Sequence, residues 1–535
     1  VQLFNVTLGT PEGAAPYLGE EWLDMFEFSA QEAKRLGLEL GFHNCPGWSS
    51  SGGPWVTPEF AMQHLVFSEV SHTGGQLFSG KLAQPETKLE YYQDIAVLAF
   101  PKPQSDQRID ELDIKIISER IRNHMAPDAK SISKSAVVRK DAIIDLSAKV
   151  SADGVLEWEA PAGEWVILRL GHTPTGELNR FASAGGVGLE CDKMSRKAAD
   201  VFWEGGVAPI IDRLGPLIGP VVTKCHIDSY EVGTANWTAD FENEFKRLRA
   251  YECAQYLPTL AGYYVESGEI TERFLWDFRR TIGDLIAEHY YGRFRELSHQ
   301  HVIIFSMEPY WGPFDNMQVG AHADVVMAEF WSGNLTFFDS PKFVASIAKL
   351  NGNPVAEAES FTSFGGWHEH PAMLKVIGDQ VWAQGINRFV YHTFAHQPWG
   401  AKPGLTLGPF GLEFNRHNTW WEQAKAYLDY VKRAQFLLQQ GQTVADVLVF
   451  VGESSPNDTF LVPGIKELGF DYDVIGHNTL SRLTVQDGEI LTPAGDRYSI
   501  LLLPETTWMR PETLRLLAKL AEAGATITGP KPTRS

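Results

Sequence analysis

The chain has 535 residues, 44% of them hydrophobic, and a formal net charge of −21 at pH 7. That is long enough for a sizeable core divided over roughly two to four domains. The acidic balance, without any run of Lys or Arg, excludes nucleic acid and anionic membrane surfaces as partners because like charge repels, and no apolar stretch exceeds strand length, so no membrane span is expected.

The first run, residues 1–6, is apolar and alternating, with neither Met nor a signal pattern, so a longer parent is expected upstream. A helical period covers 20–36, and a second strand follows at 38–44. From 69 to 188 long helical patterns stop. Alternating segments at 95–100, 136–146 and 165–170, bounded by Pro, Gly and Asp, predict an inserted antiparallel β-sandwich on the loop after the second strand. The alternation of strand and helix then resumes, with strands at 221–228, 302–308, 324–330, 354–359 and 388–394 and helices at 272–299 and 371–384. This is the pattern of a (β/α)₈ TIM barrel in two parts, 1–68 and 189–435, with one further strand expected before Val1.

After about residue 435 the pattern resets. Strands at 444–452, 471–475 and 498–504, helices at 463–468 and 511–523, and a last strand within 524–529 predict a small doubly wound, flavodoxin-like α/β domain over 436–535, cut short. No GxGxxG follows its first strand, so no nucleotide is assigned. The four cysteines, Cys45, Cys191, Cys225 and Cys253, have no CxxC spacing and are too sparse for a disulfide framework.

Barrel enzymes place their chemistry at the carboxyl ends of the strands. Here those ends read His43-Asn44-Cys45-Pro46-Gly47-Trp48, His226-Ile227-Asp228-Ser229-Tyr230-Glu231, Ser306-Met307-Glu308-Pro309-Tyr310-Trp311, Ala328-Glu329-Phe330-Trp331, Glu357-Ala358-Glu359 and Tyr391-His392, the last running on to His396 and Trp399. Four successive strands bring a Glu to one mouth, with His and Trp beside them. Two carboxylates facing one sugar ring can protonate the departing oxygen and attack or activate water, given an acid whose pKa is raised by burial or like charge. Surplus carboxylates can hold a hard cation. Aromatic rings, 12% of the chain, suit the C–H face of a pyranose.

Each candidate has a plainer reading. Glu308 and Glu329 are metal ligands, hydroxyl-binding groups or mouth ion pairs; Asp228 orients a neighbour or caps a helix. The histidines His43, His226, His392 and His396 are hydrogen-bonded layer residues or sugar contacts, and Trp48, Trp331 and Trp399 are core or stacking platforms. The spacing of His368-Glu369-His370 does not converge on one helical face, which favours a solvated loop.

Residues 41–49 (GFHNCPGWS) with 52–55 (GGPW), 226–231 (HIDSYE), 359–362 (ESFT) and 396–399 (HQPW) resemble glycoside hydrolase family 106, the α-L-rhamnosidases, over residues 1 to about 435. The resemblance implies inverting removal of terminal α-L-rhamnose from a polysaccharide or glycoside outside the cytoplasm, in the periplasm or beyond. It makes Glu231 the general acid and Glu359 the general base. It also implies Ca²⁺ near the sugar hydroxyls, with Glu329 the preferred ligand and Glu308 the second. Sugar contacts are expected from His43, Asn44, Trp48, Asp228 and Tyr230, and from Glu308, Trp331, His392, His396 and Trp399. Glu357 shares a strand face with Glu359, so the base remains open between them. Two rivals stand: a retaining β-galactosidase-like enzyme on the same barrel, and a non-catalytic carbohydrate-binding protein.

Overall fold

Apolar, β-branched runs separated by amphipathic helices fold here as a parallel sheet. The computed structural model describes residues 3–4, 15–50, 52–119, 131–180, 182–333, 340–397, 400–408, 410–458, 462 and 464–535. Each expected barrel run contains a strand: β1 (Leu3–Phe4), β2 (Leu40–His43), β3 (Val222–Ile227), β4 (Ile304–Met307), β5 (Val325–Trp331), β6 (Glu357–Thr362) and β7 (Arg388–Tyr391). Strands β2 to β7 form one six-stranded sheet in chain order, every pair parallel. It curls into a half-barrel, and β1 pairs in parallel with β8 (Phe394–Ala395). Strands β5 and β6 are buried along their whole length, as expected of a parallel sheet covered on both faces.

The curl defines an inside. Side chains alternate along a strand, and groups on β3 and β6, which are not neighbours in the sheet, meet only across the concave face. Lys224 with Glu357, and Asp228 with Glu359, do so.

The expected helix over 272–299 is longer and not uniform. It runs as α-helix Gly268–Leu285, π-helix Ile286–Tyr291 and α-helix Gly292–Gln300, started by Ser267, whose side chain accepts from the amide of Ile270. Periodicity alone does not reveal the π segment, because one extra residue per turn hardly disturbs an apolar stripe.

Between β2 and β3 lies an antiparallel sheet of Gln63–Thr73, Glu164–Pro174, Gln93–Pro101 and Ile144–Asp145, beginning a little before residue 69. Its two faces serve different cores. Leu98, Phe100, Val166 and Leu168 join the core that packs against strands β2 to β4. Val97, Ala99, Trp165 and Ile167 join a small core with Leu156 and Trp158 of the two-stranded ribbon Leu77–Lys81 and Val155–Glu159.

The C-terminal strands β9 (Val447–Phe450), β10 (Tyr472–Ile475), β11 (Ile500–Leu502) and β12 (Ile527–Thr528) form a parallel sheet in the order β10-β9-β11-β12. The helix expected at 463–468 is only a 3-10 turn, Lys466–Leu468: the stretch between Gly464 and Gly469, both at positive φ, is too short to nucleate an α-helix. An antiparallel meander, Thr484–Gln486, Glu489–Leu491 and Arg497–Tyr498, was not expected. This region shares one continuous core with β5 to β7 and is clamped to helix Pro341–Leu350 by Lys342 on Asp471 and Lys349 on Asp473. No helix among the described residues is long and apolar enough to cross a membrane.

Candidate active site

The sheet brings its carboxylates to one rim. Oxygens of Asp228, Glu308 and Glu359, from β3, β4 and β6, lie within 4.8 Å of one another, and all three side chains are buried. Asp228 accepts from the amide of Ser229 at 2.8 Å. The Ser229 hydroxyl lies 3.3 Å from Asp228 Oδ1 and 2.9 Å from Glu231 Oε1, so it bridges the floor of the cluster to Glu231 above. Trp48 Nε1 donates to the other oxygen of Glu231 at 3.4 Å.

Glu359 is fixed by a local irregularity. The β5–β6 register shifts at Phe361, whose φ of 66° is left-handed, and the shift turns Thr362 back so that its hydroxyl bonds Glu359 Oε1 at 2.5 Å. His392 Nδ1 lies 3.9 Å from the same oxygen. Glu329 sits in register beside Glu359; its oxygens meet Trp331 Nε1 at 2.6 Å and the Tyr310 hydroxyl at 3.4 Å, while Ser340 bonds its main chain.

Burial and mutual repulsion push the carboxyls of Asp228, Glu308 and Glu329 well above the usual carboxylate range. Burial pushes the nearby histidines the other way: His43 to about 4, His392 to about 3, and His226 far down. They are therefore neutral at pH 7 and offset none of the negative charge. Among the described residues no Lys or Arg pairs with Asp228, Glu308 or Glu329, and Glu308 Oε1 is buried without a protein partner. Such a donor set fits a hard divalent cation, whose oxygen ligands lie about 2.3–2.6 Å away. Asp228, Glu308 and Glu359 lie close enough together to share such an ion, while Glu329, beside them, accepts from Trp331 and Tyr310.

Glu357, two residues before Glu359 on the same face, has another environment. Lys224 Nζ bonds both its oxygens, at 2.6 and 2.8 Å, and Arg388 Nη1 bonds one at 3.0 Å. The structure thus separates the two carboxylates that the sequence left open.

The other expected contacts divide. His43 lies at the cluster, its Nδ1 3.6 Å from Asp228. Asn44 is buried, and its amide is used on Ser50 O and the Tyr290 hydroxyl, which fasten the loop carrying Trp48. Tyr230 is buried edge-on against Phe314. Trp331 is buried against Phe364 and holds Glu329. His396 is exposed beyond β8, and Trp399 lies outside the described residues. Glu369 is buried on the Ser363 hydroxyl, whereas His368 and His370 on either side are exposed, and the three form no metal-like cluster among the described residues. Ser229, Thr362, Tyr310 and Ser340 were missed as positioning groups, although the first three lie inside or beside motifs that were noticed.

The whole chain, residues 1–535, matches the family model described as alpha-L-rhamnosidase, glycoside hydrolase family 106. A Formosa agariphila protein carrying the provisional name beta-glucuronidase is 62% identical over 534 residues; the match covers 100% of this chain and 46% of that protein. The solved structure of a rhamnosidase from Novosphingobium sp. PP1Y superposes with a TM-score of 0.90 at 29% identity, over 100% of this chain and 66% of that one. The chain thus spans about half the length of the curated relative it matches.

Proposed function

The chain belongs to the α-L-rhamnosidases of glycoside hydrolase family 106, and from that membership we propose that its site hydrolyses a terminal α-L-rhamnoside with inversion, Glu231 as general acid and Glu359 as general base. The six-stranded curl is read as part of a (β/α)₈ barrel, with the antiparallel sheet as an inserted sandwich. The observation that carries the proposal is the path Trp48–Glu231–Ser229–Asp228, which leads from the rim to the cluster containing Glu359. It brings carboxylates from β3 and β6 to one acidic floor.

Glu231 is the more exposed of the two, as suits a group that meets the leaving oxygen. It gives its proton to that oxygen as the glycosidic bond breaks. Glu359 takes a proton from water as the oxygen attacks the opposite face of the anomeric carbon, giving rhamnose and a free hydroxyl. Thr362 keeps one Glu359 oxygen oriented, and Trp48 does the same for Glu231. Asp228 and Glu308, with an oxygen of Glu359 beside them, would hold a Ca²⁺, which would offset part of their charge and offer a seat for sugar hydroxyls. The neutral ring of a deoxy-sugar suits this floor.

The test is turnover of a panel of aryl glycosides, α-L-rhamnoside, β-D-galactoside and β-D-glucuronide, with and without chelator, followed by proton NMR of the first anomer released. Rhamnose appearing first as the β anomer is expected. Release of the α anomer would replace inversion with a retaining route, and preference for the glucuronide would overturn the sugar assignment.

A further inference from the structure

We propose that the loop 453–458 of the C-terminal α/β region belongs to the active-site machinery of the barrel. It fixes the loop after β4 that carries Glu308 and Tyr310, and Asp458 acts in it as a positioning residue. The inference rests on the rhamnosidase reading above.

The loop after β4, residues 309–316, does not hold its own shape. Trp311 has a φ of 71°, a left-handed conformation costly for a bulky residue, and a Cβ at Gly312 would come within 1.8 Å of the Phe314 ring. A strained turn of this kind persists only where its surroundings fix it. The fixing groups come from the other region. Ser455 Oγ donates to Pro313 O at 3.2 Å, and Asn457 N donates to Phe314 O at 2.9 Å. Asn316 N donates to Asn457 O at 3.2 Å, and Asn316 Nδ2 donates to Asp458 Oδ1 at 2.5 Å.

Loop 453–458 is itself anchored on two sides. Asn457 Nδ2 bonds Val451 O just beyond β9. From the long barrel helix, Trp276 Nε1 bonds Ser454 Oγ at 3.2 Å and Arg280 Nη1 bonds Glu453 O at 2.6 Å. The loop lies so close to that helix that a Cβ at Gly283 would fall 2.1 Å from Ser455 Oγ.

From the clamp, two short routes lead to the chemistry. Along the chain it fixes Tyr310, two residues after Glu308; the Tyr310 hydroxyl lies 3.4 Å from Glu329. Through Phe314, fully buried and edge-on at 5.8 Å to the ring of Tyr230, it braces the residue before Glu231; the amide of Tyr230 also bonds Tyr310 O. An ordinary domain contact would land on outer helices, as the Lys342 and Lys349 clamps do. This one lands on the strand end that bears a site carboxylate.

The test compares Asp458→Ala, which removes the acceptor of Asn316, with Asp458→Asn, which keeps an oxygen in its place, both in the full chain. Asp458→Ala should lower kcat on an aryl α-L-rhamnoside by about 10- to 100-fold, the scale of a misplaced site group, with KM changed much less; Asp458→Asn should restore most of the rate. Ser455→Ala should move kcat the same way by less. Deuterium exchange across residues 309–316 should quicken in Asp458→Ala and not in Asp458→Asn. An unchanged kcat in Asp458→Ala overturns the proposal, as does a loss that vanishes once rates are scaled to the folded fraction, or one that Asp458→Asn shares. If the wild-type protein turns over no rhamnoside, the functional reading fails instead, and exchange alone decides: equal protection of 309–316 in all proteins would refute the clamp.

Discussion

Two layers of one sheet, a pleat apart, carry opposite electrostatics. In the lower layer Glu357 is surrounded by Lys224 and Arg388; in the upper layer Asp228, Glu308, Glu329 and Glu359 face one another. Identical side chains on β6 thus have different surroundings. The paired carboxylate below holds strands together across the curl through Lys224 and Arg388. The crowded ones above carry repulsion that folding alone would not retain, and such unrelieved charge marks a functional site.

The most severe test of this division lies in the upper layer. Glu231→Gln should reduce kcat by about 10²- to 10⁴-fold, the usual worth of a positioned acid, with binding and thermal midpoint little altered. A loss of only a few-fold, measured by steady-state kinetics, would move the acid elsewhere.

Calcium comes next. At a concentration about 100 times its Kd it should stabilise the protein by about 2.7 kcal/mol, read as a rise in thermal midpoint that EDTA abolishes. The rise should vanish in Glu308→Gln and remain in Glu357→Gln, because Glu308 belongs to the carboxylate cluster and Glu357 is paired with Lys224 and Arg388. The smallest effect is one of pH. In chelator, Glu308→Gln should be the more stable protein at pH 7.5, since it lacks a repelled charge. As the Glu308 carboxyl is raised, wild type regains that stability as pH falls through the raised pKa, and the gap should close by about pH 5. A gap independent of pH would show that Glu308 is not ionised in the apo protein.

The same contrast shows what the sequence made legible. Apolar runs between amphipathic helices located every strand from β2 to β7, and the clustering of Glu, His and Trp at their ends marked the rim, because both signals are local. Glu357 and Glu359 could not be told apart, since their partners Lys224 and Thr362 are chosen by the curl and by the shifted register at Phe361. Tyr230 lay in a motif of polar rim residues, yet it packs edge-on against Phe314, from a distant part of the chain. The π segment at 286–291 and the clamp from 453–458 were hidden for the same reason: they depend on contacts between parts of the chain far apart in sequence.

The most direct measurement is kcat for Glu359→Gln beside Glu357→Gln on one aryl α-L-rhamnoside, with thermal midpoints recorded for both. Glu359→Gln should lose about 10²- to 10⁴-fold in kcat with its midpoint kept or raised, whereas Glu357→Gln, leaving Lys224 and Arg388 without their carboxylate, should lose about 3 kcal/mol of stability and retain kcat while folded. The reverse pattern, a stable but inactive Glu357→Gln and an active Glu359→Gln, would contradict the account.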